Sequence, residues 1–309
     1  MINIYEAVSA NKRKSIIVMV VFVIFVTATI YILSQAMGVY LGYEPGGLGL
    51  AGLAFIVSGL MSLGSYYFSD RIILAISSAR PADRKIDFNF YTVSENLSIA
   101  TGIPKPKLYV IDDTAPNAFA TGRDPKHAIV VATTGLLQKL DRTELEAVVA
   151  HELSHVRHFD TRLMAIVAVL VGSVALLGDW VFRMTWYGRG RGSRKSSQAS
   201  AIFLLLGVVF AILAPIIANL IKLAISRSRE FSADAGSVSI TRQPQGLISA
   251  LEKISADHEP LEAANKATAH LYIVNPFKEK AKSGVGWFAG LFNTHPPVEE
   301  RIAILRKMV

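Results

Sequence analysis

The stretch His151-Glu152-Leu153-Ser154-His155 sets two imidazoles four residues apart, with a carboxylate beside the first. On a helix, side chains four apart point the same way, one turn above each other. Two imidazoles so placed can converge on one ion about 2.0–2.1 Å from each nitrogen. Glu152 then reaches a water activated by that ion rather than the ion itself, which is the place of a general base. This is hydrolytic metal chemistry, and it needs a helix. The residues upstream supply one: Asp141-Arg142-Thr143-Glu144 is a capping-box pattern, and Leu145, Val148 and Val149 recur at helical spacing. The competing reading is a polar stripe on a surface helix. Ala147, Ala150 and Leu153 flank the stripe with small or apolar residues and oppose that reading. The bare pentapeptide arises by chance in on the order of one chain in a hundred, so a third ligand has to be found.

Composition bounds where such a site would work. Of the 309 residues 51% are apolar and only 18% charged, which points to a membrane protein with a soluble part. The net charge of +8 comes from Lys and Arg beside apolar runs, a pattern that suits an anionic lipid surface. Basic segments laced with aromatics are missing, so the sequence predicts no nucleic-acid partner. There is no cysteine, which excludes disulfides, thiolate ligands and a cysteine nucleophile. A metal site in this chain must use His and carboxylates.

Four apolar runs organise the rest. Asn11-Lys12-Arg13-Lys14 precedes the first, residues 15–33, long enough for a retained membrane anchor rather than a signal peptide. The second, residues 48–68, is rich in Gly49, Ala51, Gly52, Ala54, Gly59 and Gly64, which suits close helix packing in lipid. Arg71, Arg80, Arg84 and Lys85 follow it, so the positive-inside rule places the N-terminus and everything after Arg71 in the cytoplasm. Residues 86–162 then alternate polar and apolar. The pattern predicts an amphipathic helix over 88–100, strands over 108–111 and 128–132, and a possible edge strand over 117–121. An exposed edge can take an extended peptide by backbone hydrogen bonding; a plain connecting strand is the alternative. The third run is 163–177, and the fourth, 201–225, lies beyond a Gly/Ser/Arg-rich loop at 188–197.

The fourth run passes into Arg229-Glu230-Phe231-Ser232-Ala233-Asp234, where Glu230 and Asp234 share one helical face. The pattern resembles the E-x-x-x-D element of gluzincin metallopeptidases. That resemblance implies that Glu230 completes a His2Glu shell and that Asp234 holds a ligand histidine through its other ring nitrogen. A surface helix whose two acids pair with Arg227 and Arg229 is the alternative. If His151 and Glu230 meet at one ion, runs three and four go out and return as a hairpin. The loop at its tip carries Arg189, Arg191, Arg194 and Lys195, which opposes full crossing, while the length of the runs favours it.

As a set the pieces resemble the HtpX-type membrane zinc metalloproteases, relatives of the CAAX prenyl endopeptidases. They are the two N-terminal runs, Pro116-Asn117-Ala118-Phe119-Ala120, His151-Glu152-Leu153-Ser154-His155, the hairpin, Arg229 to Asp234, and Thr294-His295-Pro296-Pro297. The resemblance implies a cytoplasm-facing, ATP-independent endopeptidase for misfolded or damaged membrane proteins. It also implies one Zn2+ per chain on His151, His155 and Glu230, with Glu152 as the base. Phe159 stands where the family usually carries a smaller residue, which leaves the role of Asp160 open. His295, ahead of a C-terminal helix over 299–307, either donates to the developing oxyanion or simply starts that helix. His158 lies on the face of His151 but too far along the axis, and reads as a surface or interface residue; His127, His258 and His270 read as ordinary surface histidines.

The expected fold class is a mostly α membrane protein with about four transmembrane helices and a zincin-like α+β cytoplasmic metallopeptidase domain carrying a small sheet. Residues 1–70 form the two-helix anchor, 71–162 the first catalytic part, 163–225 the membrane hairpin and 226–309 the second catalytic part. The expected partners are unfolded or membrane-protein polypeptides and the lipid bilayer. Rival functions are a prenyl-peptide endoprotease, a non-catalytic zinc scaffold and a transporter. A structural zinc would need four protein ligands where three are found. A transport pathway would need more ionisable groups than the apolar runs carry.

Overall fold

The computed structural model describes residues 4–41, 47–170, 172, 227–263, 268, 271–274, 276 and 296–308. Two long helices, α1 (Ile4–Leu41) and α2 (Gly47–Ile76), come first and pack along one another. Within α2, Ala51–Ile76 is long and apolar enough to cross a membrane. The pair exposes Ile24, Phe55, Leu60 and Leu63, an apolar surface unsuited to water. A buried stripe of Ala54, Ser58, Ser62, Ser65 and Ser69 runs down α2, and Ser58 Oγ lies 3.2 Å from Thr27 Oγ1 of α1. Among the described residues, a methyl at Gly49, Gly52, Gly59 or Gly64 meets nothing within 4 Å, so these glycines do not face α1 closely. Serines serve instead because each is small and its hydroxyl can bond its own helix, as Ser65 does to the Ser62 carbonyl at 2.8 Å.

The sheet has the order β1-β2-β4-β3. Strand β1 (Arg80–Pro81) pairs antiparallel with β2 (Lys107–Ile111), which runs parallel to β4 (Ile129–Thr133). Strand β3 (Ala118–Thr121) lies at the edge, antiparallel to β4, with Ala120 opposite Val130. The expected edge strand therefore exists. Helix α3 (Phe88–Thr101) ends where Gly102 adopts φ +69°, the left-handed cap that glycine takes most readily. Its buried face carries Phe90, Val93 and Leu97. A short α4 (Thr134–Lys139), capped by Thr133, has no periodic signature and escapes sequence reading.

Helix α5 (Arg142–Arg157) is the middle of the soluble part. Asp141 accepts from the Glu144 N–H while the Glu144 carboxylate accepts from the Asp141 N–H at 2.8 Å, the reciprocal box its sequence predicts. Every residue from Ala147 to Val156 is buried, so the polar stripe is not a surface stripe. Helix α5 packs against α3, β3, α6 (Arg227–Thr241) and α7 (Pro244–Ala256). Helix α7 went unread although Pro244 opens it and Leu247, Ile248, Leu251 and Ile254 mark its inner face. Helix α8 (Val298–Leu305) runs into a 3-10 turn at Arg306–Met308 and covers α7.

The crossing of α5 and α6 is close. A Cβ at Gly236 would come within 2.1 Å of Ser154 Oγ and 2.9 Å of its Cβ, and Ser237 Oγ donates to the Ala147 carbonyl at 2.7 Å. Gly236→Ala is expected to push the helices apart and destabilise the chain by about 1–3 kcal/mol. A melting temperature equal to wild type would show that the crossing tolerates the methyl.

Residues 160–170 are helical, and Leu163, Ile166 and Leu170 join Val18 and Phe22 of α1, Ile73 of α2 and Phe119 of β3 in one buried cluster. The long helices and the sheet thus share a core rather than being joined by a tether. The loop at 188–197, the fourth apolar run and most of the expected hairpin lie outside the described residues.

Candidate metal centre

Consecutive turns of α5 bring His151 and His155 face to edge, ring centroids 4.8 Å apart and planes at 87°. Their Nε2 atoms are 3.2 Å apart. From α6, Glu230 offers Oε1 at 3.6 Å from His155 Nε2 and Oε2 at 3.9 Å from His151 Nε2. One ligand atom from each residue lies within 4.8 Å of the others, and all three residues are buried. Ligands about 2.0–2.1 Å from a tetrahedral ion stand about 3.3 Å from each other. The separations, and a set of two imidazoles with one carboxylate, fit a zinc ion that keeps a fourth position.

Glu152 lies beside this group, 3% exposed, and the Ala120 backbone is among the groups that favour its charged form. Burial pushes the Glu152 carboxyl above the ordinary range, against the pull of His151 and His155. A carboxyl shifted in this direction holds a proton more readily than an exposed one, which suits a general base.

Each imidazole has its own brace. His151 Nδ1 lies 3.0 Å from Asp234 Oδ1, off the line of a well-aligned hydrogen bond. Arg301 of α8 grips Asp234 with a fork, Nε to Oδ2 at 2.9 Å and Nη2 to Oδ1 at 2.6 Å. Burial works against ionisation of Asp234, yet the Arg301 charge and the His151 contact hold its carboxyl below the usual range. On the other side, His155 Nδ1 meets Asp160 Oδ2 at 3.0 Å. Burial alone would lower His155, but the Asp160 bond and the charges of Glu230 and Glu152 outweigh it and push the ring up to about 9. A divalent ion on Nε2 competes with that proton.

Asp160 owes its position to Phe159, which has φ +60° and separates α5 from the helical stretch beginning at residue 160. Left-handed backbone strains a bulky residue by roughly 1–2 kcal/mol. Lys12 and Arg162 lie over the Phe159 ring at 4.6 and 5.0 Å, contacts that a smaller residue would forgo and that offset part of this strain.

The edge strand bears on the site through its backbone. The Ala120 backbone favours the charged form of Glu152, and the Ala118 carbonyl accepts from the Ile273 N–H at 3.0 Å. Asn117 Nδ2 donates to the Val274 carbonyl at 2.9 Å. The Phe119 ring turns into the core, edge-on to Tyr272 at 5.0 Å. At Ala118, then, the edge already holds the chain's own Ile273. His295 and His270 lie outside the described residues, while Pro296 and Pro297 lead directly into α8. His158 ends α5 and is not among the three grouped ligands; His127 and His258 are exposed.

The surface-helix alternative for Glu230 and Asp234 fails on their partners. Asp234 is held by Arg301, while Arg229 turns to Asn11 at 3.1 Å and lies 3.7 Å from Asp160. Arg301 and Asn11 are the polar residues sequence reading missed. Arg301 left one signal: with Val298, Ile302 and Leu305 it sits at i, i+3, i+4 and i+7, a charge inside an apolar stripe.

Three comparisons bear on identity. A family model described as Peptidase family M48 matches residues 89–309. The chain is 46% identical to a "Protease HtpX homolog" of Dictyoglomus thermophilum, over 98% of this chain and 94% of that one. A protein of the same description from Thermoanaerobacter pseudethanolicus is 42% identical, over 99% and 98% of the two chains. One from Streptococcus uberis is 38% identical, over 99% and 100%. The crystal structure of S. mikatae Ste24p is similar with a TM-score of 0.44 and 18% identity, covering 81% of this chain, which spans 57% of that one. The family model takes in α3 and everything after it, and the likeness to these proteases runs almost end to end: this chain belongs to peptidase family M48.

Proposed function

We propose that the chain is a zinc-dependent endopeptidase that cuts misfolded or damaged membrane proteins at the cytoplasmic face of the cell membrane. One observation carries the reading: His151, His155 and Glu230 converge within 4.8 Å, and Glu152 is buried beside them. The bound ion supplies Lewis acidity, activating a water near neutral pH and polarising the scissile carbonyl. Glu152 accepts the proton of the attacking water at its carboxylate and returns it to the departing amine. Asp160 and Asp234 hold the two rings in the orientation this needs. The outward backbone groups of Ala118 and Ala120 suit an extended peptide laid along β3, where its N–H takes the place of Ile273 at the Ala118 carbonyl. His295 remains the proposed oxyanion donor.

The site's surroundings support the choice of substrate. An extended chain is what an unfolded segment offers, and the apolar outer faces of α1 and α2 suit lipid, with Arg71, Arg80, Arg84 and Lys85 just past the second run. Four membrane spans, with the charged loop at 188–197 at the tip of the second pair, complete the proposed topology. The test is metal analysis of the detergent-purified chain with cleavage of casein and a model membrane protein. About one zinc per chain is expected, with cleavage lost on chelation and restored by added Zn2+. A chain that takes up no zinc, or cuts equally well in chelator, ends the proposal.

A further inference from the structure

Asn11 belongs to α1, takes no part in the proposed chemistry, and is 3% exposed. Its partners are distant in sequence and close to the metal centre. Asn11 Nδ2 donates to Asp160 Oδ1 at 2.7 Å and to the His158 carbonyl at 2.9 Å. Its Oδ1 accepts from Arg229 Nη1 at 3.1 Å. Both sides of the amide are thus engaged, as a buried amide requires. The other oxygen of Asp160 is the one that meets His155 Nδ1 at 3.0 Å, and Arg229 directly precedes Glu230 on α6.

The amide therefore holds the acid behind one candidate ligand and the neighbour of another. Packing alone does not call for it. The α1 residues that follow, Val18 and Phe22, are apolar and bury against residues 163–170, so a leucine would serve a helix seam better. An asparagine here fixes the rotation of a carboxylate that would otherwise keep one buried oxygen without a donor this close. We infer that Asn11 is a positioning residue of the metal centre: the first long helix reaches through this amide to hold Asp160, and through Asp160 the ring of His155. The inference rests on the metallopeptidase reading and adds that the anchor is part of the catalytic apparatus rather than only its mooring.

The test uses the full chain in detergent, with zinc affinity measured by competition with a chromophoric chelator, kcat and KM on casein, and melting of the zinc-free protein. Loss of an outer partner of a metal ligand typically weakens binding 10- to 100-fold. Asn11 is one bond farther out, so Asn11→Leu is expected to weaken zinc binding by about 10-fold and to lower kcat with KM little changed. Asn11→Asp, which faces one acid with another, is expected to be worse. Zinc affinity and kcat unmoved in Asn11→Leu, with only the melting temperature lowered, would overturn the inference. A wild-type chain that binds no zinc is a different failure, because it removes the metallopeptidase reading itself.

Discussion

Glu152→Gln is expected to keep the ion and lose the reaction. The amide is nearly isosteric with the carboxylate, and residue 152 lies outside the group formed by His151, His155 and Glu230. Zinc content and melting temperature should therefore match wild type. A glutamine cannot take the proton of the attacking water, and general acid–base groups contribute about 10²–10⁴-fold. A fall in kcat of about three orders of magnitude, with KM within a few-fold, is the expected profile on casein. Full activity in the variant would remove Glu152 from the mechanism. Loss of zinc along with activity would instead make it part of the ligand shell.

Arg301→Met is expected to be the most destabilising single change in the soluble part. It leaves Asp234 ionised and 1% exposed, without the fork that now holds both its oxygens. Breaking one side of a buried pair costs about 3–5 kcal/mol. For a domain of this size that lowers the melting temperature by on the order of 10 °C. Arg301→Lys keeps a charge but not the two parallel bonds and should fall between. The pH dependence has a definite sign. Asp234 titrates below its unfolded value, near 3.9, so its contribution is present above that value and is lost as pH falls through the lower folded one. The gap between wild type and Arg301→Met should hold from neutral pH down to about 4 and then narrow. Equal melting temperatures at pH 7 would show that the fork contributes nothing.

What could be read from the sequence was whatever repeats within a turn or two of one helix. The capping box, the four-residue spacing of His151 and His155, and that of Glu230 and Asp234 are all local patterns. The observed α5 and α6 carry them as expected. Spacing reports which residues share a face but not which face meets another. Asn11 read as the start of a basic flank because its partners lie 147 and 149 residues on. Arg301 could not be singled out because Asp234 is 67 residues earlier. Small residues allow close packing, but rotation of the helix decides which of them meet a given neighbour, and toward α1 Ala54 and the serines do. Asp160 could not be placed without knowing that Phe159 adopts a left-handed turn.

The groups around the paired imidazoles also set an electrostatic condition. Glu152, Glu230, Asp234 and Asp160 are four acids almost wholly shut off from solvent, and Arg301 and Arg229 are the two guanidiniums among them. With the rings neutral and every acid ionised, the cluster holds two negative charges in excess, which one divalent cation balances in place of the proton that His155 otherwise carries. Like charges packed this densely repel strongly where water cannot screen them. Metal uptake in this chain should therefore relieve strain in the folded state as well as enable hydrolysis, so that saturation with Zn2+ raises the temperature at which the fold is lost.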